Sequence, residues 1–284
     1  MLMPVKNGLP YLPRAVRSTL QAMPRDSELV ILNDGSDDGT PEYLESVTDR
    51  RVKAIHHQAS GGVAKGLNFL LASTDSEHVA RMDADDLCLP WRFALQEANL
   101  RSAEMVFSSV IFMNSRGLPV RPDLPGRIAP DATPLHLLLG NVLVHPTLYA
   151  TRQIMDDMGG YRATAAEDYD LWLRAARKGA RMVRTAEPVL MYRRHGKQAT
   201  TTGGWLAKAD DPLLDESYGQ LARDACGCLG DTRTLRRSSV SGQAERADPQ
   251  EWRSFLSQFR AKARLLRPAQ RALINLRLSR FQHA

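Results

Sequence analysis

Glu28-Leu29-Val30-Ile31-Leu32-Asn33-Asp34-Gly35-Ser36-Asp37-Asp38-Gly39-Thr40 is the stretch on which the fold turns. Leu29 to Leu32 are consecutive apolar residues bounded by polar ones, the pattern of a strand buried on both faces. The run stops in a segment rich in Asn, Asp, Gly and Ser, whose side chains or backbone freedom favour turns. A helix follows from about Pro41 to Val47. A doubly buried strand, a short turn and a helix make half of a parallel crossover unit, which requires helices on both faces of a sheet.

The same alternation extends in both directions. Upstream, Met1 to Val5 is a short apolar run ending at Asn7-Gly8, and it looks like the second half of a buried strand, so that Met1 falls where that strand should already be under way. Pro10 to Met23 carries apolar residues at a helical period before the Pro24-Arg25-Asp26 break. Downstream, Val52 to Ile55 predicts a strand, Gly61-Gly62 a break, Val63 to Ala72 a helix and Glu77 to Met82 a strand. A helix from Pro90 to about Arg101 and a strand from Met105 to Phe112 complete this part. The expected class is α/β, a Rossmann-like and mostly parallel sheet flanked by helices.

Beyond Phe112 the pattern changes. Residues 114 to 139 hold five prolines and few apolar runs, the composition of a long functional loop. Asn141 to Pro146 resumes as a strand, Thr151 to Met158 as a short helix and Gly159-Gly160-Tyr161-Arg162 as a tight turn. A helix opens at Glu167-Asp168-Tyr169-Asp170 and runs through Lys178, and Arg181–Arg184 and Val189–Tyr192 look like short edge strands. Trp205 to Leu229 is expected to be helical, residues 231–248 to be a polar linker, and Trp252, Phe255, Leu256 and Phe259 to share a helical stripe. Pro268 argues against a single long helix. The organisation expected is a catalytic body over 1–204, divided near residue 112, and a helical, basic C-terminal extension over 205–284.

The chemistry gathers in Asp83-Ala84-Asp85-Asp86, three carboxylates in four residues at the end of a strand. Such a cluster repels itself unless a cation sits in it. Service of one ligand by the whole cluster implies a backbone turn here, and turns at the carboxyl ends of strands are where open α/β sheets bind ligands. In isolation an acidic turn before a helix is commonly only a solvated cap. Asp34 and Glu167-Asp168 fall at the ends of other elements, and parallel strands bring those ends to one edge.

Composition narrows the alternatives. The 284 residues carry a net charge of +6, and no apolar run is long enough to span a bilayer. The opening Met1-Leu2-Met3-Pro4-Val5-Lys6 lacks the pattern of a signal peptide. Cys88, Cys226 and Cys228 make neither a disulfide framework nor a structural zinc site, which fits a reducing cytoplasm. From Glu251 onward, eight arginines and lysines stand against one acid. That basic extension fits a membrane-surface helix reaching a lipid-linked acceptor, or a partner or homodimer helix; no nucleic-acid motif accompanies the charge.

Met3-Pro4-Val5-Lys6-Asn7-Gly8, the Glu28–Thr40 stretch, Gly61-Gly62, Met82–Asp86, Gly159–Arg162 and Glu167–Arg174 together resemble a family 2 glycosyltransferase with the GT-A fold, from Met1 to about Thr201. Each piece alone is common; six in this order and spacing are not. The resemblance implies inverting transfer of a sugar from a nucleotide diphosphate sugar, typically a UDP-sugar, to a saccharide or lipid-linked acceptor hydroxyl, as in surface polysaccharide synthesis. By motif match, Asp34 would accept a hydrogen bond from the base, Pro4 would lie along the nucleotide and Lys65 near the base or diphosphate. Asp83 and Asp85 would hold Mn²⁺ or Mg²⁺, Asp85 the more direct ligand, and Asp168 would be the general base.

His195, in a Tyr-Arg-Arg-His run, could join the metal or diphosphate site, as could His145. Arg193 and Arg194 fit either phosphate contacts or a solvated pair. Trp172 is expected in the core. Two other functions use related features. A sugar-phosphate nucleotidyltransferase would need a Gly-x-Gly-x-Arg loop near the first strand, which is absent. A binding subunit without turnover would not need the full Asp83, Asp85 and Asp168 set.

Overall fold

The computed structural model describes residues 1–123, 126–196, 211–227, 232–233, 235–236 and 249–282. Strand β1 (Leu2–Val5) pairs in parallel with β2 (Leu29–Asp34), and β2 with β3 (Val52–His57). Helix α1 (Leu12–Ala22) links β1 to β2, α2 (Thr40–Glu45) links β2 to β3, and α3 (Val63–Ala72) follows β3. The doubly buried reading of β2 holds: all six of its residues are buried. Val30 and Leu32 pack with Leu67, Leu70 and Leu71 of α3, whereas Leu29 and Ile31 pack with Leu12 and Val16 of α1 and Leu44 of α2. Alternate side chains therefore serve two helical layers.

A parallel bridge from Leu2 to Arg81 sets β4 (His78–Ala80) beside β1. From there the sheet continues in the order β4, β8 (Tyr149–Thr151), β6 (Met105–Met113), β9 (Met182–Arg193) and β5 (Leu87–Cys88). The β6–β9 pair is parallel, but β4–β8, β8–β6 and β9–β5 are antiparallel. The parallel character predicted for the sheet thus belongs to its first half, and the second half is mixed. Helices α4 (Arg92–Leu100), α6 (Arg152–Asp157) and α7 (Glu167–Arg177) complete the body.

Three local expectations change. The two edge strands are one twelve-residue strand, β9, lying inside the sheet; the interruption seen at Glu187-Pro188 is a register shift opposite Ser109. Residues 114–139 are not wholly irregular: β7 (Pro119–Pro122) pairs with β6, and α5 (Thr133–Leu138) carries Pro134 in its first turn, where proline is tolerated rather than breaking a helix. The strand expected at Asn141–Pro146 is a turn and a short 3₁₀ segment, His145–Thr147, and the pairing strand is the following β8.

The extension supplies α8 (Pro212–Cys226), α9 (Pro249–Ala263) and α10 (Pro268–Gln282), so Pro268 opens a separate helix. Phe255, Phe259, Ile274 and Leu278 are buried in the same apolar cluster as Leu137, Leu138 and Trp172 of the body. The stripe predicted on α9 is therefore spent largely on the protein's own core, while Leu265 (82% exposed) and Leu276 (57%) stay outside. Most of the linker predicted over 231–248, together with Trp205 and Cys228, lies outside the described residues. Among the described residues no helix is long and apolar enough to cross a membrane.

Candidate active site

The turn-rich end of β2 delivers Asp34 to the sheet edge, and the loop after β3 folds over it. Asp34 Oδ1 accepts from the Gly61 N–H at 2.9 Å, and Oδ2 from the Ser60 hydroxyl at 2.7 Å and the Gly62 N–H at 3.3 Å. Burial opposes ionisation of this carboxyl, but these donors and His57 outweigh it and hold its pKa below the ordinary value. A β-carbon on Gly61 would stand at ordinary contact distance, 3.5 Å from Lys65 Cβ and 4.0 Å from Asp34 Oδ1. Lys65 thus lies beside Asp34, exposed on the first turn of α3. Gly66, one residue on, allows α3 to approach Leu32 and Pro4: its added β-carbon would meet them at 3.2 and 3.9 Å.

Between β4 and β5 the backbone turns. Asp83, Asp85 and Asp86 present carboxylate oxygens within 4.8 Å of one another. Each is then differently engaged. Asp83 pairs with the buried Arg81 guanidinium at 2.5 Å, and Asp85 Oδ2 lies 2.9 Å from His195 Nε2. Asp86 Oδ1 accepts the Arg193 N–H at 2.7 Å, while its buried Oδ2 has no hydrogen-bond partner among the described residues. Burial, then mutual repulsion, pushes Asp86 well above the ordinary carboxyl range. An unpartnered buried oxygen within a carboxylate cluster faced by an imidazole is the donor set of a hard divalent cation, so the residues fit Mn²⁺ or Mg²⁺.

Asp168 stands in the first turn of α7, with Oδ2 accepting from Asn141 Nδ2 at 2.9 Å and Oδ1 from the Tyr169 N–H at 2.7 Å. Its pKa is raised, chiefly by burial, and the neighbouring Glu167 is pushed up to about 7 by burial and then by the Asp168 charge. The charge of Asp168 also acts on Asp83, and that of Glu167 on Arg81, so the α7 N-terminus and the acidic turn share one electrostatic site.

Several neighbours were not legible beforehand. Arg193, read as a phosphate contact or a solvated charge, is 1% exposed and works inward. Its Nε donates to the Asp85 carbonyl at 2.7 Å, its Nη1 to the carbonyls of Asn114 and Ser115, and it stacks 4.3 Å from the Tyr11 ring centroid. Arg194 instead lies over Phe112. His145 is not part of the carboxylate cluster: it is buried, 3.0 Å from the Tyr161 hydroxyl and edge-on to the fully buried Trp172, with burial holding its pKa well below 6.5. Gly159 and Gly160 make the tight turn with φ of +66° and +71°. Asn68 of α3 clamps the end of that turn, donating to the Tyr161 carbonyl at 2.7 Å and accepting its N–H at 2.8 Å. Arg81, Asn68 and Asn141 carry no motif of their own; an arginine inside an apolar run was the one available signal.

A parallel half-sheet ending in Asp34, joined to a mixed half that carries an acidic turn, is the GT-A arrangement. Residues 1–119 match the family model described as "Glycosyl transferase family 2". The chain is 30% identical over 197 residues to the O-antigen biosynthesis glycosyltransferase WbnJ of Escherichia coli, covering 66% of this chain and 76% of that protein. It is 29% identical over 198 residues to the putative glycosyltransferase EpsE of Bacillus subtilis, covering 64% and 67%. The crystal structure of S. aureus TarS residues 1–349 in complex with UDP-GlcNAc superposes with a TM-score of 0.66 at 15% identity, covering 99% of this chain and 87% of that one. The protein therefore belongs to glycosyltransferase family 2.

Proposed function

We propose that the protein transfers a sugar, with inversion at the anomeric carbon, from a UDP-sugar to an acceptor hydroxyl in surface polysaccharide or glycoconjugate synthesis. The observation that carries this reading is the acidic turn, whose three carboxylates lie within 4.8 Å of one another with His195 2.9 Å from Asp85. The UDP-GlcNAc held by TarS and the O-antigen role in the name of WbnJ support the donor and product classes.

Asp34, held ionised, accepts the imino N–H of the base, with Pro4 along the nucleotide and Lys65 able to reach its phosphates. Asp83, Asp85 and His195 would hold the divalent cation, with Asp86 Oδ2 in the same cluster and Arg81 paired to Asp83. When bound, the cation supplies charge neutralisation for the departing nucleoside diphosphate. Asp168 takes the acceptor's proton as the hydroxyl attacks, so no covalent intermediate is needed. Its raised pKa suits that task, because a more basic carboxylate accepts the proton more readily.

A thermal-shift panel of UDP-, GDP- and dTDP-sugars with and without Mn²⁺ tests the donor site. UDP-sugars should raise Tm most, only with Mn²⁺, and Asp85→Ala should abolish the metal dependence. A shift independent of Mn²⁺ in the wild type would remove the proposed role of the acidic turn.

Peripheral attachment at the inner face of a membrane has narrower support. The α9–α10 connection exposes Leu265 between Arg264 and Arg267, an apolar tip flanked by cations. Leu265→Ser should weaken cosedimentation with anionic vesicles, and equal binding by both proteins would reject this contact.

A further inference from the structure

The last helix described, α10, grips both ends of the segment that runs into Asn141. At one end Gln270 Oε1 accepts the Ala129 N–H at 3.0 Å and its Nε2 donates to the Arg127 carbonyl at 2.8 Å. At the other, Arg277 Nη1 donates to the His136 carbonyl at 2.8 Å and Nη2 to the Leu139 carbonyl at 2.7 Å, with Gly140 O at 3.5 Å. Gln270 and Arg277 are seven residues apart, two helical turns, and so lie on one face. Arg277 thus binds carbonyls at the C-terminal end of α5, where a helix runs short of intrahelical donors, and His136 O takes the Leu139 N–H at 3.1 Å as well. Tyr169 donates to Leu137 O, and Tyr218 of α8 to Leu138 O at 2.9 Å, so side chains from three helices close the C-terminus of α5.

The chain leaves this cap through Gly140 at φ +102°, and the next residue is Asn141. Asn141 is exposed, and two bonds orient its side chain: Oδ1 accepts the Leu143 N–H at 3.1 Å and Nδ2 donates to Asp168 Oδ2 at 2.9 Å. A hydrogen bond from an exposed asparagine is only as directional as the backbone beneath it. That backbone is fixed on one side by Arg277, whose planar fork reaches several carbonyls together, which a lysine ammonium does not.

We infer that Arg277 is a positioning residue for transfer: through the Leu139-Gly140-Asn141 backbone it aims the Asn141 amide at Asp168 and thereby orients the carboxylate. The C-terminal extension is then a working part of the catalytic edge. This inference rests on Asp168 being the base, and the experiment separates the two.

Arg277→Ala, Asn141→Ala, the double variant and Asp168→Asn are compared in the full chain. The probes are Mn²⁺-dependent release of UDP from UDP-GlcNAc in water and the side-chain amide NMR signals of Asn141, identified by their loss in Asn141→Ala. The amide signals require no turnover. Arg277→Ala should shift them and lower kcat about tenfold while leaving donor KM within twofold. In the Asn141→Ala background the same change should add less than twofold, because its route to Asp168 is already cut. Unmoved amide signals, or kinetic losses that multiply in the double variant, would overturn the inference. Where alanine prevents folding, Arg277→Lys carries the same comparison with the aliphatic stem retained. Near-normal turnover in Asp168→Asn removes the base assignment itself; an inactive Asp168→Asn beside an unaffected Arg277→Ala removes only the positioning role.

Discussion

The two halves of the sheet place their functional groups by different means. In the parallel half, Asp34 ends β2, and its partners Ser60, Gly61 and Gly62 follow directly on the adjacent β3, so a strand and its neighbour suffice. In the mixed half, Asp168 is held by Asn141 from 27 residues away, and the Asp85 carbonyl by Arg193 from 108 residues away. Strand ends can deliver a group to an edge by topology alone. A helix start beyond an irregular connection needs side chains that cross the fold to fix it.

The contrast is broken most forcefully at Asp168. Asp168→Asn should lower transfer about 10²- to 10⁴-fold, the usual worth of a general base. Calorimetry should find donor binding unchanged, since Asp34 and the acidic turn, not Asp168, are the groups proposed to hold the donor; a large loss of donor affinity would mean that Asp168 serves binding as well. Next comes the clamp between them. Asn68→Ala leaves the Tyr161 N–H and carbonyl without their partner and should cost about 1–3 kcal/mol in denaturant unfolding. A neutral result would show that the apolar contacts hold the halves together unaided.

The smallest effect sharpens the comparison by pH. Burial, followed by the charges of Arg277 and Arg184, lowers the His136 pKa from 6.5 to about 3. Between those values the unfolded chain binds a proton that the folded protein refuses. Stability is therefore lost as pH falls from 6.5 towards 3, by about 1 kcal/mol over the first pH unit. His136→Gln should remove that increment when unfolding at pH 6.5 and 5.5 is compared with wild type. An unchanged difference would place the acid sensitivity elsewhere.

How much was legible follows the same division. Leu29–Leu32 and the Asp34 turn announced strand, helix layers and edge, because each depends on residues close in sequence. The acidic turn and Glu167-Asp168 were visible as charge clusters, and their approach to one another followed from the sheet. Arg193 looked like a phosphate contact or a solvated charge, since nothing local reveals that its guanidinium has carbonyls to cap. β9 looked like two edge strands because a register shift and a broken strand produce the same interruption in an apolar run. The extension's stripe was visible, but not that Phe255 and Phe259 belong to the same core as Trp172. Amphipathicity says that a face will be covered, not by what.

The hold of α10 on the segment before Asn141 also has a meaning in time. A ribosome adds roughly 5–20 residues per second and delivers the N-terminal part first. The parallel half can assemble around β2 as soon as α3 has emerged. Arg277 leaves the tunnel on the order of ten seconds after Asp168 at that pace. The edge that carries Asp34 can thus form well before the edge that carries Asp168 is braced by α10.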